Sequence, residues 1–254
     1  DLNIKFNLRG KILHAIRGID LDVYHGEVLA IVGESGSGKS VFTKSFMGLL
    51  DSNGSITSGT IDYFGADDHQ PIRLSALKKE KDWLKVRGHE IAMIMQDPMT
   101  SLNPLKKIGK QIQESIEHHQ GLKGEEAKKA AIEMLAKVGI PDPERRYEQY
   151  PHEFSGGMRQ RVGLARALAI NPDILLMDEA FSALDPLIRT EMQDELVKLQ
   201  AKHQRTIVFI SHDLDEAMRI GDRIAIMKDG EVVQVGTPEE ILTDPANDYV
   251  TRFT

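Results

Sequence analysis

Short apolar runs alternate along this chain with longer segments whose apolar residues recur every three or four positions. Two of the runs, ILLM at 174–177 and IVFI at 207–210, are apolar without interruption. A half-exposed strand alternates between apolar and polar positions, so continuous runs predict a parallel sheet that is covered on both faces. Strands that alternate with helices predict an α/β fold. The predicted strands span residues 27–32, 60–63, 90–95, 174–178, 206–211, 223–228 and 231–236.

Segments with helical periodicity separate most of these strands. They span residues 39–50, 108–118, 125–138, 156–170, 186–200 and 214–220. The stretch from about residue 97 to 154 breaks the alternation, because it holds two helical patterns and turn-rich joints but no convincing strand. We therefore predict an all-helical lobe inserted into the α/β body.

Composition narrows the class of protein. The chain has 254 residues, and 32 basic against 39 acidic side chains give a net charge of −7. A single large domain is the natural expectation at this length, and the acidic balance argues against a protein that coats nucleic acid. No apolar run approaches the roughly 20 residues of a membrane span. The sequence has no cysteine, which excludes disulfides, thiolate catalysis and cysteine-bound metal centres.

The strongest chemical signal is the segment GESGSGKS at residues 33–40, which follows a predicted strand and opens a predicted helix. In this context, the pattern GxxxxGK[ST] is typical of a phosphate-binding loop. Its glycines let backbone N–H groups surround phosphate oxygens, and the helix adds the positive end of its dipole. Lys39 is expected to reach the β- and γ-phosphates and Ser40 to coordinate Mg²⁺. The predicted nucleotide-binding residues are Gly33, Ser35, Gly36, Ser37, Gly38, Lys39 and Ser40.

Two carboxylates follow the apolar strand at 174–177. Open α/β sheets place ligands at the carboxyl ends of their strands. Asp178 is therefore a candidate Mg²⁺ ligand, and Glu179 a candidate base that polarises water for attack on the γ-phosphate. Taken alone, an ordinary strand that ends in an acidic turn would explain the pair equally well.

A second candidate phosphate surface is SGG at 155–157, before a long helical pattern. Ser155 is typical of an N-cap, and Gly156 and Gly157 would expose backbone amides at the positive end of the helix. The alternative is a capped helix after a turn. Two phosphate-binding surfaces in one chain are explained if two copies of the chain share each nucleotide.

The ordered set of motifs resembles the nucleotide-binding subunit of ATP-binding cassette (ABC) transporters over essentially the whole chain. Beside the three motifs above, the resemblance rests on Gln96 in MIMQDP, SALD at 182–185 and His212 in FISHD. It implies a RecA-like P-loop NTPase core with an antiparallel β subdomain and an inserted α-helical subdomain. In one cassette domain of residues 1–254, the core and β subdomain would occupy 1–96 and 160–254, and the helical subdomain 97–159.

The resemblance also implies roles for single residues. Phe6 would stack on adenine, although a core phenylalanine in an edge strand is the alternative. Gln96 would contact Mg²⁺ and the attacking water, and His212 the γ-phosphate. Asp185 would lie at a dimer interface. The implied catalytic residues are Glu179, His212 and Gln96, and the implied Mg²⁺ ligands are Ser40, Gln96 and Asp178.

Two chains would close head to tail around two MgATP, with Ser155, Gly156 and Gly157 of each capping the ATP of the other. ATP and Mg²⁺ are the expected cofactors and a membrane permease is the expected further partner, without nucleic acid or membrane insertion. The expected location is the cytoplasmic face of a bacterial inner membrane. The rivals are a cassette ATPase that acts on DNA or ribosomes and a folded nucleotide-binding protein that is uncoupled from transport.

The two halves of the chain resemble different importers. Residues up to about 160 resemble oligopeptide and dipeptide importer ATPases, whereas residues from about 163 closely resemble the glycine betaine/proline importer ATPase. The resemblance therefore implies uptake of peptides or quaternary-amine osmolytes. We hypothesise a chimera joined at SGGMRQRV; the alternative is a natural member with mixed features.

Overall fold

The structure is a computed structural model that describes residues 1–65, 70–95, 102–182 and 184–253. Its contacts divide the chain into two units. Unit 1 consists of Asp1–Arg87 and Arg205–Thr254, and unit 2 of Gly88–Gln204. The helical subdomain that we predict at 97–159 has different boundaries from these units and stays a prediction.

Strands and helices alternate along much of the described chain, as the sequence predicts. The strands are β1 (Leu2–Leu8), β2 (Lys11–Ile19), β3 (Val28–Gly33), β4 (Gly54–Ser58), β5 (Asp62–Tyr63), β6 (Ile72–Arg73), β7 (Ile91–Ile94), β8 (Ile174–Asp178), β9 (Thr206–Ser211), β10 (Arg223–Lys228) and β11 (Glu231–Gly236). The helices are α1 (Lys39–Phe46), α2 (Glu80–Val86), α3 (Ile108–His119), α4 (Gly124–Lys137), α5 (Pro143–Tyr147), α6 (Gly156–Ala169), α7 (Pro186–His203), α8 (Leu214–Ile220), α9 (Pro238–Thr243) and α10 (Asp248–Phe253). Each predicted strand and helix overlaps one of these elements.

Parallel strands of unit 1 position two of the predicted motifs, the glycine-rich loop at 33–40 and His212. Its strands follow the order β11-β10-β3-β9, with β3 parallel to both β10 and β9, and β11 antiparallel at the edge. Every residue of β3 and β9 is buried, as their unbroken apolar runs predict for strands covered on both faces. Helix α8 packs against β3 and β9. Because β3 and β9 are parallel neighbours, their carboxyl ends lie side by side at the same end of the strands.

The hydrophobic pattern does not predict strands β1, β2 and β4 of unit 1, although the family resemblance implies an antiparallel β subdomain. They form an antiparallel sheet in the order β2-β1-β4, in which the two-residue turn Arg9–Gly10 joins β1 to β2. Buried and half-buried positions alternate from Leu2 to Phe6, whereas most side chains of β2 are exposed. Strand β1 has the alternation of a half-exposed strand, but all three strands lack the continuous apolar run that marks β8 and β9.

Unit 2 contains the parallel pair β7 and β8 and a packed group of helices. One face of α3 is apolar at every third or fourth position, and Ile108, Ile112 and Ile116 are fully buried. Helices α4, α5 and α6 pack against α3 or one another. The buried Tyr147 hydroxyl donates a hydrogen bond to Gln113 Oε1, which satisfies the polar atom inside this core.

Candidate functional site

The glycine-rich loop in unit 1 joins the buried strand β3 to helix α1. Gly33 ends β3, and Gly38 is the N-cap of α1 with φ of 99°. Gly38 has no side chain with which to cap the first turn of α1, and the positive end of the helix dipole faces the loop. This is the strand–loop–helix context in which the sequence pattern binds phosphate.

Lys39 holds its ammonium group against the loop itself. The side chain is only 5% exposed, and Nζ donates hydrogen bonds to the backbone oxygens of Gly33 at 2.6 Å and Glu34 at 2.9 Å. These carbonyls keep a buried positive charge satisfied. The cation is thereby held where it can approach an anion bound in the loop.

The loop offers both room and a hydrogen-bonding group to a phosphate chain. Glu34, Ser35 and Gly36 are exposed, and a Cβ at Gly36 would meet nothing within 4 Å. Ser37 Oγ is buried and has no hydrogen-bond partner within the part of the chain that the structure describes. A buried hydroxyl without a partner is costly unless a ligand completes it. The loop therefore has room for an anion, and its role toward phosphate stays a prediction.

The structure places His212 at the same end of the parallel strands as the glycine-rich loop. Strand β9 ends at Ser211, which is paired in register with Val32 of β3, so His212 and Gly33 follow at adjoining strand ends. The His212 side chain is exposed. This placement agrees with the expectation that His212 and the loop face one ligand, and the role of His212 stays a prediction.

Phe6 lies elsewhere in unit 1, within the sheet of β1, β2 and β4. It is 8% exposed, and its ring lies so close to Gly54 that a Cβ there would be 2.5 Å from Phe6 Cε1. This burial is what a core phenylalanine would show, although β1 is the middle strand of its sheet and not the edge strand of the alternative considered from the sequence. Stacking of Phe6 on adenine stays a prediction.

Asp178 and Glu179 lie at the carboxyl end of β8 in unit 2. Asp178 is 5% exposed, while Glu179 is half-buried and has φ of 46°. Few non-glycine residues adopt this left-handed conformation, and it is enriched at functional sites. The backbone oxygen of Glu179 accepts hydrogen bonds from Ser182 N at 3.1 Å and Ser182 Oγ at 2.9 Å. The turn after β8 therefore holds Glu179 in an unusual conformation.

The start of α6 lies beside the start of α7 in unit 2. Ser155 is the N-cap of α6, and its hydroxyl accepts a hydrogen bond from Met158 N at 3.3 Å. A Cβ at Gly157 would be 2.5 Å from Ile188 Cγ2, whereas Gly156 faces open space. Asp185 caps α7 by accepting from Ile188 N at 3.2 Å. The structure thus places residues 155–157 close to Asp185.

Gln96 lies outside the described residues, so its two predicted roles stay predictions. The other two expected Mg²⁺ ligands belong to different units, with Ser40 in unit 1 and Asp178 in unit 2. Among the described residues, no group of three His, Cys, Asp or Glu side chains could hold a metal ion. Mg²⁺ often binds through one or two protein ligands together with substrate phosphates and water.

Sequence reasoning missed a tyrosine beside the phosphate loop. Burial and the nearby charge of Glu34 raise the pKa of the Tyr249 hydroxyl on α10. Lys228 Nζ lies 4.4 Å from the centroid of the tyrosine ring, which is a cation–π distance. Nothing in the local pattern around Tyr249 indicates this placement, because it depends on how the chain returns to the loop.

The sequence matches a known family. The pattern that defines ABC transporters matches residues 16–182. The oligopeptide transport ATP-binding protein AmiE of Streptococcus pneumoniae is 51% identical over 249 residues, which cover 98% of this chain and 68% of that protein. The chain therefore belongs to the ABC transporter family.

A second relative comes from a different transport system. The glycine betaine/proline betaine transport system ATP-binding protein ProV of Escherichia coli is 54% identical over 242 residues. The match covers 94% of this chain but only 55% of that protein. Each relative thus matches nearly the whole chain, and the chimera stays a hypothesis.

Solved structures confirm the predicted fold class. The ATP-binding cassette MJ0796, solved as a dimer in a post-hydrolysis state with ADP and Pi, is 30% identical. It superposes with a TM-score of 0.79 over 93% of this chain and 96% of that one. The fold is that of an ABC ATPase, as the resemblance implies. Among the described residues, no helix is both long and apolar enough to cross a bilayer.

Proposed function

We propose that this chain is the ATP-hydrolysing subunit of an importer that takes up peptides or quaternary-amine osmolytes through a membrane permease. The observation that carries the proposal is the loop at 33–40, with Lys39 held inside it beside the buried Ser37 hydroxyl. The names of AmiE and ProV supply the two substrate classes. The resemblance implies that the permease contact lies near Gln96 and the helical lobe, and both resemble peptide importer ATPases in sequence. A peptide permease is therefore the better-matched partner.

Each candidate residue has a role toward bound nucleotide in this proposal. The backbone of the loop and Lys39 would hold the phosphates, with Mg²⁺ bound by Ser40 and Asp178 and contacted by Gln96. Bound ATP supplies a γ-phosphoryl group that water can accept. Glu179 would take a proton from that water, and His212 would contact the terminal phosphate. The protein would act mainly by positioning and electrostatics.

The proposal includes a head-to-tail dimer at the cytoplasmic face of the membrane. Its support is the SGG helix start, which presents Gly156 to open space, together with the dimeric structure of MJ0796. In such a dimer, residues 155–157 of one chain would cap ATP on the loop of the other. Because the site is shared, we expect ATPase activity to grow faster than linearly with protein concentration.

The ATPase rate of the chain beside its Glu179→Gln form tests the proposal. The substitution keeps size and hydrogen bonding but removes the base, so we expect turnover to fall at least about 100-fold while MgATP binding persists. Glu133→Gln, an exposed change on α4, is the matched control and should keep the wild-type rate. A wild-type chain without ATPase activity at any concentration would contradict the proposal and support the uncoupled alternative.

Co-purification with permeases tests the substrate class. We expect the chain to be retained by a peptide permease and not by a betaine permease under the same conditions. The Lys39→Ala form, which should bind nucleotide poorly, shows whether retention depends on ATP. Selective retention by the betaine permease would reverse the substrate assignment but leave the ATPase proposal intact.

A further inference from the structure

The segment around His212 contains an unusual form of helix cap. In an ordinary capping box, the glutamate at the third helical position accepts a hydrogen bond from the backbone N–H of the N-cap residue. Helix α9 shows this form, because Thr237 N donates to Glu240 Oε2 at 2.7 Å and Glu240 N donates to Thr237 Oγ1 at 3.3 Å. The box at α9 is thus closed by two residues of one helix start.

At α8, Ser211 at the end of β9 lies between Asp213 and Glu216, the two residues that would form an ordinary capping box. Asp213 is the N-cap, and its Oδ1 accepts from Glu216 N at 3.4 Å. Glu216 does not complete the box directly. Ser211 Oγ accepts from Asp213 N at 3.0 Å and donates to Glu216 Oε2 at 2.6 Å. The cap of α8 is therefore relayed through the last residue of β9.

Both residues of this relay are buried, with Ser211 1% and Glu216 8% exposed. A hydrogen bond to a carboxylate is stronger than one between neutral groups, and a buried carboxylate is costly without such partners. The relay therefore resists opening. Ser211 and Asp213 are the two chain neighbours of His212, so the relay fixes the backbone on both sides of an exposed histidine.

We propose that the Ser211–Glu216 hydrogen bond positions His212 toward the phosphate loop. A capping box like that of α9 would cap α8 without involving β9. The relay instead ties the helix cap to the strand end that is in register with Val32, one residue before the loop begins. Glu216 and Ser211 are positioning residues, since they act through His212. The inference rests on the proposed role of His212.

The test compares Ser211→Ala and Glu216→Ala with the wild type. We expect kcat to fall about tenfold in each, with KM for ATP changed less than about twofold. Glu216→Gln keeps an oxygen that can accept from Ser211, so it should retain most of the wild-type kcat. Glu240→Ala removes the corresponding glutamate from the direct box at α9; it should lower thermal stability without lowering kcat.

A readout that does not depend on turnover accompanies the kinetics. The imidazole NMR signal of His212, assigned by its loss in His212→Gln, should move in Ser211→Ala and stay in place in Glu240→Ala. The inference is wrong if kcat stays at the wild-type value, or if kcat falls while the His212 signal does not move. A wild-type chain without ATPase activity would contradict the proposed function instead, and the NMR signal would still test the positioning.

Discussion

Two helix starts in this molecule carry neighbouring glycines, and they use them for different physical reasons. In unit 1, Gly36 and Gly38 have φ of 84° and 99°, a region that side chains other than glycine rarely adopt. In unit 2, Gly156 and Gly157 open α6 with ordinary backbone, and Ser155 caps the helix through its side chain. Backbone conformation thus favours glycine at 36 and 38, whereas at the second helix start only Gly157 lacks space for a side chain.

The difference separates two kinds of ligand surface. The loop of unit 1 is shaped to surround an anion, and it begins a helix without a side-chain cap. The helix start in unit 2 already satisfies part of its first turn through Ser155, and Gly156 remains open to whatever approaches from outside. A surface of the second kind suits a ligand held mainly by another molecule. In the proposed dimer, this open surface would face the nucleotide that is held on the loop of the other chain.

Gly38→Ala should have the largest effect on this comparison. Its φ of 99° is strained for alanine, and the new Cβ would lie 2.9 Å from the backbone oxygen of Ala15. We expect about 3 kcal/mol lower free energy of unfolding and a severe loss of ATP affinity. Gly36→Ala is the matched control, because its φ is also positive but its Cβ meets nothing within 4 Å. Equal losses in the two variants, measured by urea unfolding and nucleotide titration, would show that contact with Ala15 is irrelevant.

Local sequence was sufficient for the parts of the site that are built by one strand–helix junction. The loop at 33–40, the cap at Ser155 and the strand end at Asp178 each follow from a few consecutive residues and from known helix and strand chemistry. The strands β1, β2 and β4 were missed because the prediction relied on near-continuous apolar runs, although β1 alternates as a half-exposed strand does and most of β2 is exposed. Their pairing depends on distant contacts that no local pattern records.

Side-chain arrangement was the least predictable part. Whether Phe6 faces the core or a ligand could not be decided from its residue type, and the structure places its ring against Gly54. The relay from Ser211 to Glu216 was also invisible, since a serine at a strand end and a glutamate in a first helical turn are both ordinary. Only the three-dimensional hydrogen bonds distinguish this cap from the direct box at α9.

Gly157→Ala should have an intermediate effect that arises from packing. The new Cβ would be 2.5 Å from Ile188 Cγ2, so the side chains must shift at a cost of about 1–3 kcal/mol. Because backbone strain is absent, removing the obstruction should restore stability. We expect Gly157→Ala with Ile188→Ala to be at least about 1 kcal/mol more stable than the sum of the single changes predicts. If the effects of the two single changes on the free energy of unfolding are additive, the cost of Gly157→Ala arises from backbone strain and not from contact with Ile188. Gly157 and Gly38 would then be required for the same physical reason.

Ser155→Ala should have a smaller effect, confined to the helix cap. The Ser155 hydroxyl accepts from Met158 N at 3.3 Å, and loss of an N-cap costs about 1 kcal/mol. Ser155→Asp restores an acceptor and should recover most of that free energy. If the aspartate variant recovers stability but not ATPase activity, the serine has a role toward nucleotide beyond capping. Recovery of both properties would limit Ser155 to the helix.

Gly156→Ala should have the smallest effect on the folded chain and the most informative effect on activity. The added Cβ meets nothing within 4 Å, and alanine is a better helix residue than glycine. We therefore expect the free energy of unfolding to change by less than about 0.5 kcal/mol and ATP binding by the monomer to stay the same. In a head-to-tail dimer, however, that methyl group would project toward the nucleotide of the partner chain. If Gly156→Ala lowers ATPase activity without lowering stability or the ATP affinity of the monomer, the methyl group must interfere with the partner chain or its nucleotide. An unchanged ATPase rate would mean that no ligand or partner approaches Gly156 closely, and the shared site would have to be abandoned.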